Sequence, residues 1–153
     1  MFVCTVSSEH LTLEVVRNGS SRSVLVPIGY DVDDGRELSY FAAVGFDVTA
    51  GIGSEMFFTI IEVDHETGGR HDYWSGQETN AFILGSDRGR VLDAICCAAQ
   101  MLIACGAPDE LEVTTYDAHP PDKAVIKHFK VMSVFERNGY DIQTFDPYHG
   151  RRL

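Results

Sequence analysis

The chain has 153 residues, which is about the length of one ordinary domain. Asp and Glu total 23 and Lys and Arg total 12, so the formal net charge is -11. This charge excludes a protein whose main surface grips a phosphate backbone, because such surfaces are basic. Hydrophobic residues make up 44% of the chain, which is typical of globular domains and argues against disorder.

The negative charge is concentrated in the first part of the chain. Residues 1–87 carry 14 acidic and 4 basic side chains, a net charge of -10. Residues 88–153 carry 9 acidic and 8 basic side chains, a net charge of -1. Such an asymmetry within one domain predicts a polarised surface that meets a charged partner.

The first part of the chain alternates short β-branched and aromatic segments with turn residues. Turn signals stand at Asn18-Gly19 and Gly68-Gly69, and residues 31–36 read as a polar loop. Short strands at this spacing predict an antiparallel sheet. The predicted strands are residues 11–17, 22–30 (with Pro27 at an edge or a bulge), 38–48, 55–63, 71–74 and 80–84.

In the second part, apolar residues recur at steps of three and four, which is typical of helices. The predicted order is a helix over residues 88–105, a strand over 111–116, a helix over 123–138, a strand over 140–145 and a loose tail over 147–153. The fold class is therefore α+β: an antiparallel β-meander followed by helix-strand-helix-strand. We expect a single domain over residues 1–146 and a flexible tail.

The cysteines predict a reducing compartment. Three of the four, Cys96, Cys97 and Cys105, fall in one helical segment, and Cys4 lies far away in sequence. Neighbouring residues on a helix point about 100° apart, so the adjacent pair does not form a disulfide. Together with the absence of a signal-like N-terminal segment, this predicts buried thiols and a cytoplasmic location.

Residues 134–140, VFERNGY, resemble the helix-end motif of GNAT-type N-acetyltransferases, which runs roughly Leu-Tyr-Glu-Lys-Leu-Gly-Phe. The strand-helix-strand-helix order over residues 80–146 is also similar to the C-terminal half of that family. The resemblance implies an acetyl-CoA-dependent enzyme whose cofactor pyrophosphate lies where the first helix begins. The positions it assigns to cofactor binding are Arg88, Gly89 and Arg90.

Two features depart from that family. The tyrosine that gives a proton to the leaving thiolate is matched by Phe135, which has no proton to give. The loop of residues 85–90 fits the family's glycine pattern in no register, and Asp87 repels a phosphate. A divergent acetyl-CoA-dependent N-acetyltransferase is therefore the alternative hypothesis.

The Gly68-Gly69 turn is flanked by Asp64-His65 and His71-Asp72, which are residue types that bind metal ions. Imidazoles and carboxylates facing one another across a hairpin can bind zinc, whereas a polar hairpin tip needs no metal. The spacing is not that of a strong motif, so we expect no metal site here. Residues 31–36 also fail as a calcium loop, because the glycine stands at the fifth position rather than the sixth. His128, between lysines on the second helix, is expected to be exposed.

No complete catalytic signature appears in the sequence, so the favoured hypothesis is a non-enzymatic interaction protein. Its acidic face, with aromatic residues at the centre, would dock a basic site of a partner protein, for example a site that binds nucleic acid. In size and charge the chain is similar to small acidic proteins of phages and mobile elements, including anti-CRISPR and immunity proteins. The residues expected to contact the partner are Asp31, Asp33, Asp34, Glu37, Asp64, Glu66 and Asp72.

This hypothesis carries further expectations about partners. We expect no cofactor, no direct contact with nucleic acid and no membrane association. Exposed edge strands in the first part of the chain leave a homodimer as a possible assembly.

Overall fold

The fold was derived from a computed structural model of the whole chain. It describes residues 1–7, 9–33, 35–49, 53–74, 76–113, 122–142, 145–146 and 151–152. The expectations for Asp34, for residues 114–116 and for residues 147–150 fall outside these ranges.

A six-stranded antiparallel sheet forms the first part of the molecule. Its strands are β1 (Val3–Cys4), β2 (Glu14–Asn18), β3 (Ser21–Asp33), β4 (Arg36–Thr49), β5 (Gly53–Asp64) and β6 (Arg70–Tyr73). The strand order is β1-β3-β4-β5-β6, and β2 pairs with β3 on the same edge as β1. The predicted antiparallel meander is confirmed, although β1 was not predicted.

Turn chemistry sets the register of the meander. Asn18 pairs with Ser21, which leaves a two-residue loop in which Gly19 has a φ of 62°. Glycine adopts this left-handed backbone without steric cost, as such hairpin turns require. In β3 the register shifts between Pro27 and Gly29, so the bulge that the proline predicted is present.

The helices are α1 (Gly76–Thr79), α2 (Ser86–Ala104) and α3 (Asp122–Arg137). The predicted helical face of α2 packs on β3 and β4, and α3 packs on α2. The buried residues of α2 are Val91, Ala94, Ile95, Ala98, Ala99 and Leu102. They join one core with Val24, Val26 and Val44 of the sheet, and each fully buried large aliphatic side chain there contributes about 1.5–3 kcal/mol.

The predicted strand over residues 80–84 is wrong. The backbone there forms turns that continue from α1, in which Phe82 N and Ile83 N donate to Thr79 O at 3.2 and 2.8 Å. Local turn hydrogen bonds therefore satisfy the backbone, while Ile83 is buried in the core at 3% exposure. An apolar run as short as this one does not distinguish a strand from a buried turn.

The later predicted strands are reduced in extent. Within residues 111–113 a single bridge joins Glu112 to Glu55, and residues 140–142 form no strand. Two short strands follow, β7 (Phe145–Asp146) and β8 (Arg151–Arg152), and they pair with each other. The expectation that the tail is loose stays a prediction.

Candidate functional site

Two turns meet at one end of the sheet, which we call the acidic end. His65 N donates to Glu37 O at 3.0 Å, so the turn after β5 touches the start of β4. Leu38 pairs with Asp31 on one side and with Asp64 on the other. Five of the carboxylates expected to contact a partner lie on these turns and the adjoining strand ends: Asp31, Glu37, Asp64, Glu66 and Asp72.

Asp64 organises the acidic end from within. Its side chain is buried, and Oδ2 accepts hydrogen bonds from Arg36 Nη2 at 2.5 Å and Nε at 3.2 Å. Oδ1 accepts from the backbone N of Glu66 at 2.9 Å and of Thr67 at 3.3 Å. The Arg36 guanidinium and these amides hold the pKa of the Asp64 carboxyl below its ordinary value, against a smaller opposing effect of burial.

Two further carboxylates of the predicted set have partners within the chain. Asp31 Oδ1 accepts from the N-terminal ammonium at 2.6 Å, and Asp72 is paired with Arg70 at 2.7 Å. The backbone of Asp33 pairs with that of Arg36, which places Asp33 at the acidic end. Glu37 and Glu66 are exposed, and their carboxylates have no hydrogen bond or ion pair with any described residue. Among the predicted carboxylates whose side chains the structure describes, Glu37 and Glu66 are exposed and unpaired and are therefore accessible to a basic partner.

A second feature is the face of the sheet that lies opposite α2, which we call the outer face. Register places alternate residues of each strand on it. In mid-strand most of these residues are apolar, and Thr59 is a polar exception. Its apolar residues are Val3, Val16, Leu25, Tyr30, Val32, Phe41, Ala43, Phe57, Ile61, Val63 and Trp74. None of them belongs to the core cluster beneath α2.

Acidic residues stand at the margins of the outer face. Glu37 and Asp47 occupy the two ends of β4, Glu14 lies beside Leu25, and Glu55 lies beside Asp47. The aromatic side chains of the outer face are Tyr30, Phe41, Phe57 and Trp74. The aromatic centre of a docking surface stays a prediction. Sequence reasoning placed the acidic residues but missed this apolar face, although the uninterrupted apolar run of residues 40–46 signals a strand buried on both sides.

Glu62 holds two tyrosine hydroxyls at the edge of the core. Tyr40 Oη and Tyr73 Oη each donate to Glu62 Oε2 at 2.8 Å. Burial, and then the hydrogen bond to Glu62, raises the pKa of Tyr73 to about 12 and raises that of Tyr40 still further. Both hydroxyls therefore keep their protons at neutral pH and act as structural donors.

A serine and a histidine come within hydrogen-bond distance at the acidic end. Ser39 Oγ and His65 Nε2 are 2.5 Å apart. Among the described residues no carboxylate orients the imidazole from its other nitrogen, and the His65 ring is exposed. A nucleophile activated by an oriented base needs that third group, so this pair is not a triad.

The two turn histidines have separate partners rather than a shared one. His71 lies edge-on to Tyr73, with ring centroids 4.3 Å apart, whereas His65 pairs with Ser39. Within the described residues no group of three or more His, Cys, Asp or Glu side chains can hold a metal ion. The four cysteines are free thiols.

The arginines at the start of α2 are engaged by the chain itself. Arg90 donates to Val6 O from Nε at 3.0 Å and from Nη2 at 2.6 Å. Arg88 Nη1 donates to Ile83 O at 3.3 Å, and Gly89 is exposed. Arg88 and Arg90, which the acetyltransferase resemblance assigned to cofactor binding, thus donate hydrogen bonds to backbone carbonyls of the chain itself. Calorimetry with acetyl-CoA tests the acetyltransferase alternative.

Helix α3 brings Lys127 and His128, which are both half-buried, against Phe58 of β5. The expectation of an exposed His128 is wrong: its ring lies 4.9 Å from that of Phe58, and burial lowers its pKa to about 4. Lys127 Nζ stands 5.5 Å from the centre of the same ring, and burial lowers its pKa as well.

Fold and site together define an α+β protein with one helix-covered sheet face, one apolar outer face and an acidic end. No protein-family model, curated protein or solved structure matches the chain. Among the described residues, no helix has the length and apolar character needed to cross a membrane.

Proposed function

We propose that this protein is a non-enzymatic binding protein of the inhibitor type that docks its acidic end onto a basic site of a partner protein. The observation that carries the proposal is the convergence of two sequence-distant turns, which brings together Glu37 and Glu66, two exposed carboxylates that form no hydrogen bond or ion pair with any described residue. Carboxylates presented in this way attract a basic surface and select against acidic ones.

The acidic end is built on a fixed support. The Arg36–Asp64 pair and the amides bound by Asp64 join β4 to the turn that carries Glu66. A charge held in place before binding loses less conformational freedom when the partner arrives. We place the protein in the cytoplasm, which agrees with four free thiols, and a partner site that otherwise holds nucleic acid fits the sign of the charge.

The test compares two double variants of equal net charge. Glu37→Gln with Glu66→Gln removes two charges from the acidic end, and Glu110→Gln with Glu136→Gln removes two exposed charges elsewhere. Each variant changes the net charge from -11 to -9. Affinity purification at low ionic strength should recover a partner with wild type and with the second variant, in a complex that salt dissociates.

The first variant should lose that partner. Equal recovery by both variants would show that only net charge attracts the partner and would remove the acidic end as the docking site. Recovery that no salt concentration reverses would contradict an electrostatic mode of binding.

A further inference from the structure

The outer face departs from what an antiparallel sheet with one covered side usually shows. Such a sheet alternates apolar residues toward the core with polar residues toward water. Here Leu25, Phe41, Phe57 and Ile61 occupy outward mid-strand positions, and Thr59 is a polar residue among them. These apolar residues lie on three adjacent strands, β3, β4 and β5. The apolar character therefore belongs to the whole outer face and not to one position.

Part of this apolar surface is accessible, whereas Ala43 and Ile61 within it are buried. Nine large hydrophobic side chains are exposed among the described residues, and five of them lie on the outer face. These five are Val3, Val16, Tyr30, Val32 and Trp74, with exposures of 42, 39, 46, 58 and 52%. Exposed apolar groups gathered on one surface, rather than scattered, mark an interaction site.

The margin of the outer face is acidic. The carboxylates of Glu14, Glu37 and Asp47 have no hydrogen bond or ion pair with any described residue. Among the described strand residues, Arg70 is the cation on this face, and it is already paired with Asp72. An apolar centre with a charged rim is the usual anatomy of a protein–protein interface.

We propose that the outer face is the centre of the docking surface and that its occupant is a partner protein with an apolar centre and a rim of Lys and Arg. This inference rests on the proposed function and adds the surface and the class of partner to it. Charge complementarity selects this occupant over a second copy of the chain. A two-fold contact between two outer faces would bring carboxylate rims together, and like charges at an interface are unfavourable.

Trp74 reports directly on this face. It is the one tryptophan of the chain, and its side chain is half-exposed. The centroids of its ring and of the Phe57 ring are 6.1 Å apart. Coverage of the face removes water from the indole and shifts its fluorescence emission to shorter wavelength. The probes are three short peptides of alternating residues: lysine with leucine, lysine with serine, and glutamate with leucine.

The lysine-leucine peptide should bind and shift the emission of Trp74, and it should bind about tenfold more tightly than either of the others. Equal binding by the lysine-serine peptide with no shift would overturn this inference, while the charge-based function would survive. Tight binding of the glutamate-leucine peptide would overturn the charged rim. Lysine-leucine binding that is unaffected by the Glu37→Gln, Glu66→Gln pair would contradict the proposed function but not the face.

Matched variants locate the contact. Val16→Ser with Val32→Ser removes side chains that are 39 and 58% exposed on the outer face, and it keeps Trp74 as reporter. Val48→Ser with Leu84→Ser removes side chains that are 39 and 64% exposed elsewhere. Affinity for the lysine-leucine peptide should fall about tenfold in the first variant and less than about twofold in the second. Equal losses of affinity in the two variants would overturn the assignment of the contact to the outer face.

Sedimentation velocity tests the competing occupant. At low salt the free protein should be a monomer, because the rims repel each other and screening is weak. A dimer at low salt that the Val16→Ser, Val32→Ser variant converts to monomer would assign the face to a second copy and overturn the proposal.

Discussion

The ring of Phe57 lies against the backbone of Gly45 on the neighbouring strand. A Cβ built on Gly45 would stand 2.7 Å from Phe57 Cζ and 2.6 Å from the carbonyl oxygen of Arg22. The absence of a side chain at residue 45 is therefore what lets the aromatic ring cover the middle of the outer face. It also connects the backbone of β4 to the surface that we propose as the docking site.

Replacing Gly45 by alanine tests this packing. The added methyl meets a carbonyl of the sheet, which does not move without disturbing the strand pairing, so we expect a loss of about 1–3 kcal/mol in the free energy of unfolding. Urea denaturation measures it. The matched control is Gly89→Ala in α2, where a Cβ meets nothing within 4 Å.

The Gly89→Ala control should change the free energy of unfolding in the opposite direction. Alanine is favoured over glycine inside a helix, so Gly89→Ala should stabilise the protein by about 0.5–1 kcal/mol. If Gly45→Ala were neutral or stabilising as well, the close contact between Phe57 and Gly45 would be refuted.

Glu62 should stabilise the fold through its two tyrosine donors. Glu62→Leu leaves the hydroxyls of Tyr40 and Tyr73 without their acceptor, which should cost about 1–3 kcal/mol. Glu62→Gln retains an acceptor oxygen and should lose less. Thermal unfolding of the two variants gives the comparison, and equal stability of the leucine variant and wild type would show that the network contributes nothing.

Asp64 should make stability depend on acid pH. Its pKa is lowered in the folded state by Arg36 and by backbone amides, so the unfolded chain takes up the proton first as pH falls. The stabilisation is complete above the ordinary aspartate pKa of about 4 and is lost as pH falls through the lower folded value. Asp64→Asn should therefore be less stable than wild type at neutral pH, and the difference should shrink in acid.

The control for Asp64 is Asp72→Asn, which breaks a more exposed pair with Arg70. Exposed pairs contribute little, so this variant should lose less stability at neutral pH. Chemical denaturation at several pH values measures both variants. A difference between wild type and Asp64→Asn that did not change with pH would refute the carboxylate's role.

His128 should make the stability of the fold depend on pH over a higher range than Asp64 does. Burial lowers its folded pKa to about 4, whereas an unfolded histidine titrates near about 6.5. Between these values the unfolded state binds the proton and the folded state does not, so stability falls as pH falls. His128→Gln should flatten this part of the profile, as followed by thermal unfolding at pH values across the range. An NMR titration of His128 near its ordinary value would contradict the burial.

Much of the fold follows from local pattern. Gly19 with its positive φ, the bulge at Pro27 and the apolar steps along α2 were each signalled by nearby residues. The segment of residues 80–84 was not, because α1 and its following turns bury Ile83 without strand pairing. Periodicity over five residues is too short to separate these outcomes.

The candidate site was also predicted from the sequence only in part. The sequence identified the acidic residues, but it could not say that Asp64 faces Arg36 inside the turn while Glu37 and Glu66 remain exposed. Ion pairing depends on which residues stand opposite each other across strands, and that register is set by turns and bulges far from the pair.

By itself, the sequence determined the α+β class, the meander, the two long helices and the concentration of negative charge in residues 1–87, because each depends on composition or short-range periodicity. The tertiary structure alone decided which carboxylates are paired and that Leu25, Phe41 and Phe57 share an outer face. A side chain's neighbours across a sheet come from distant parts of the chain, so the face they form exists only once the strands are in register.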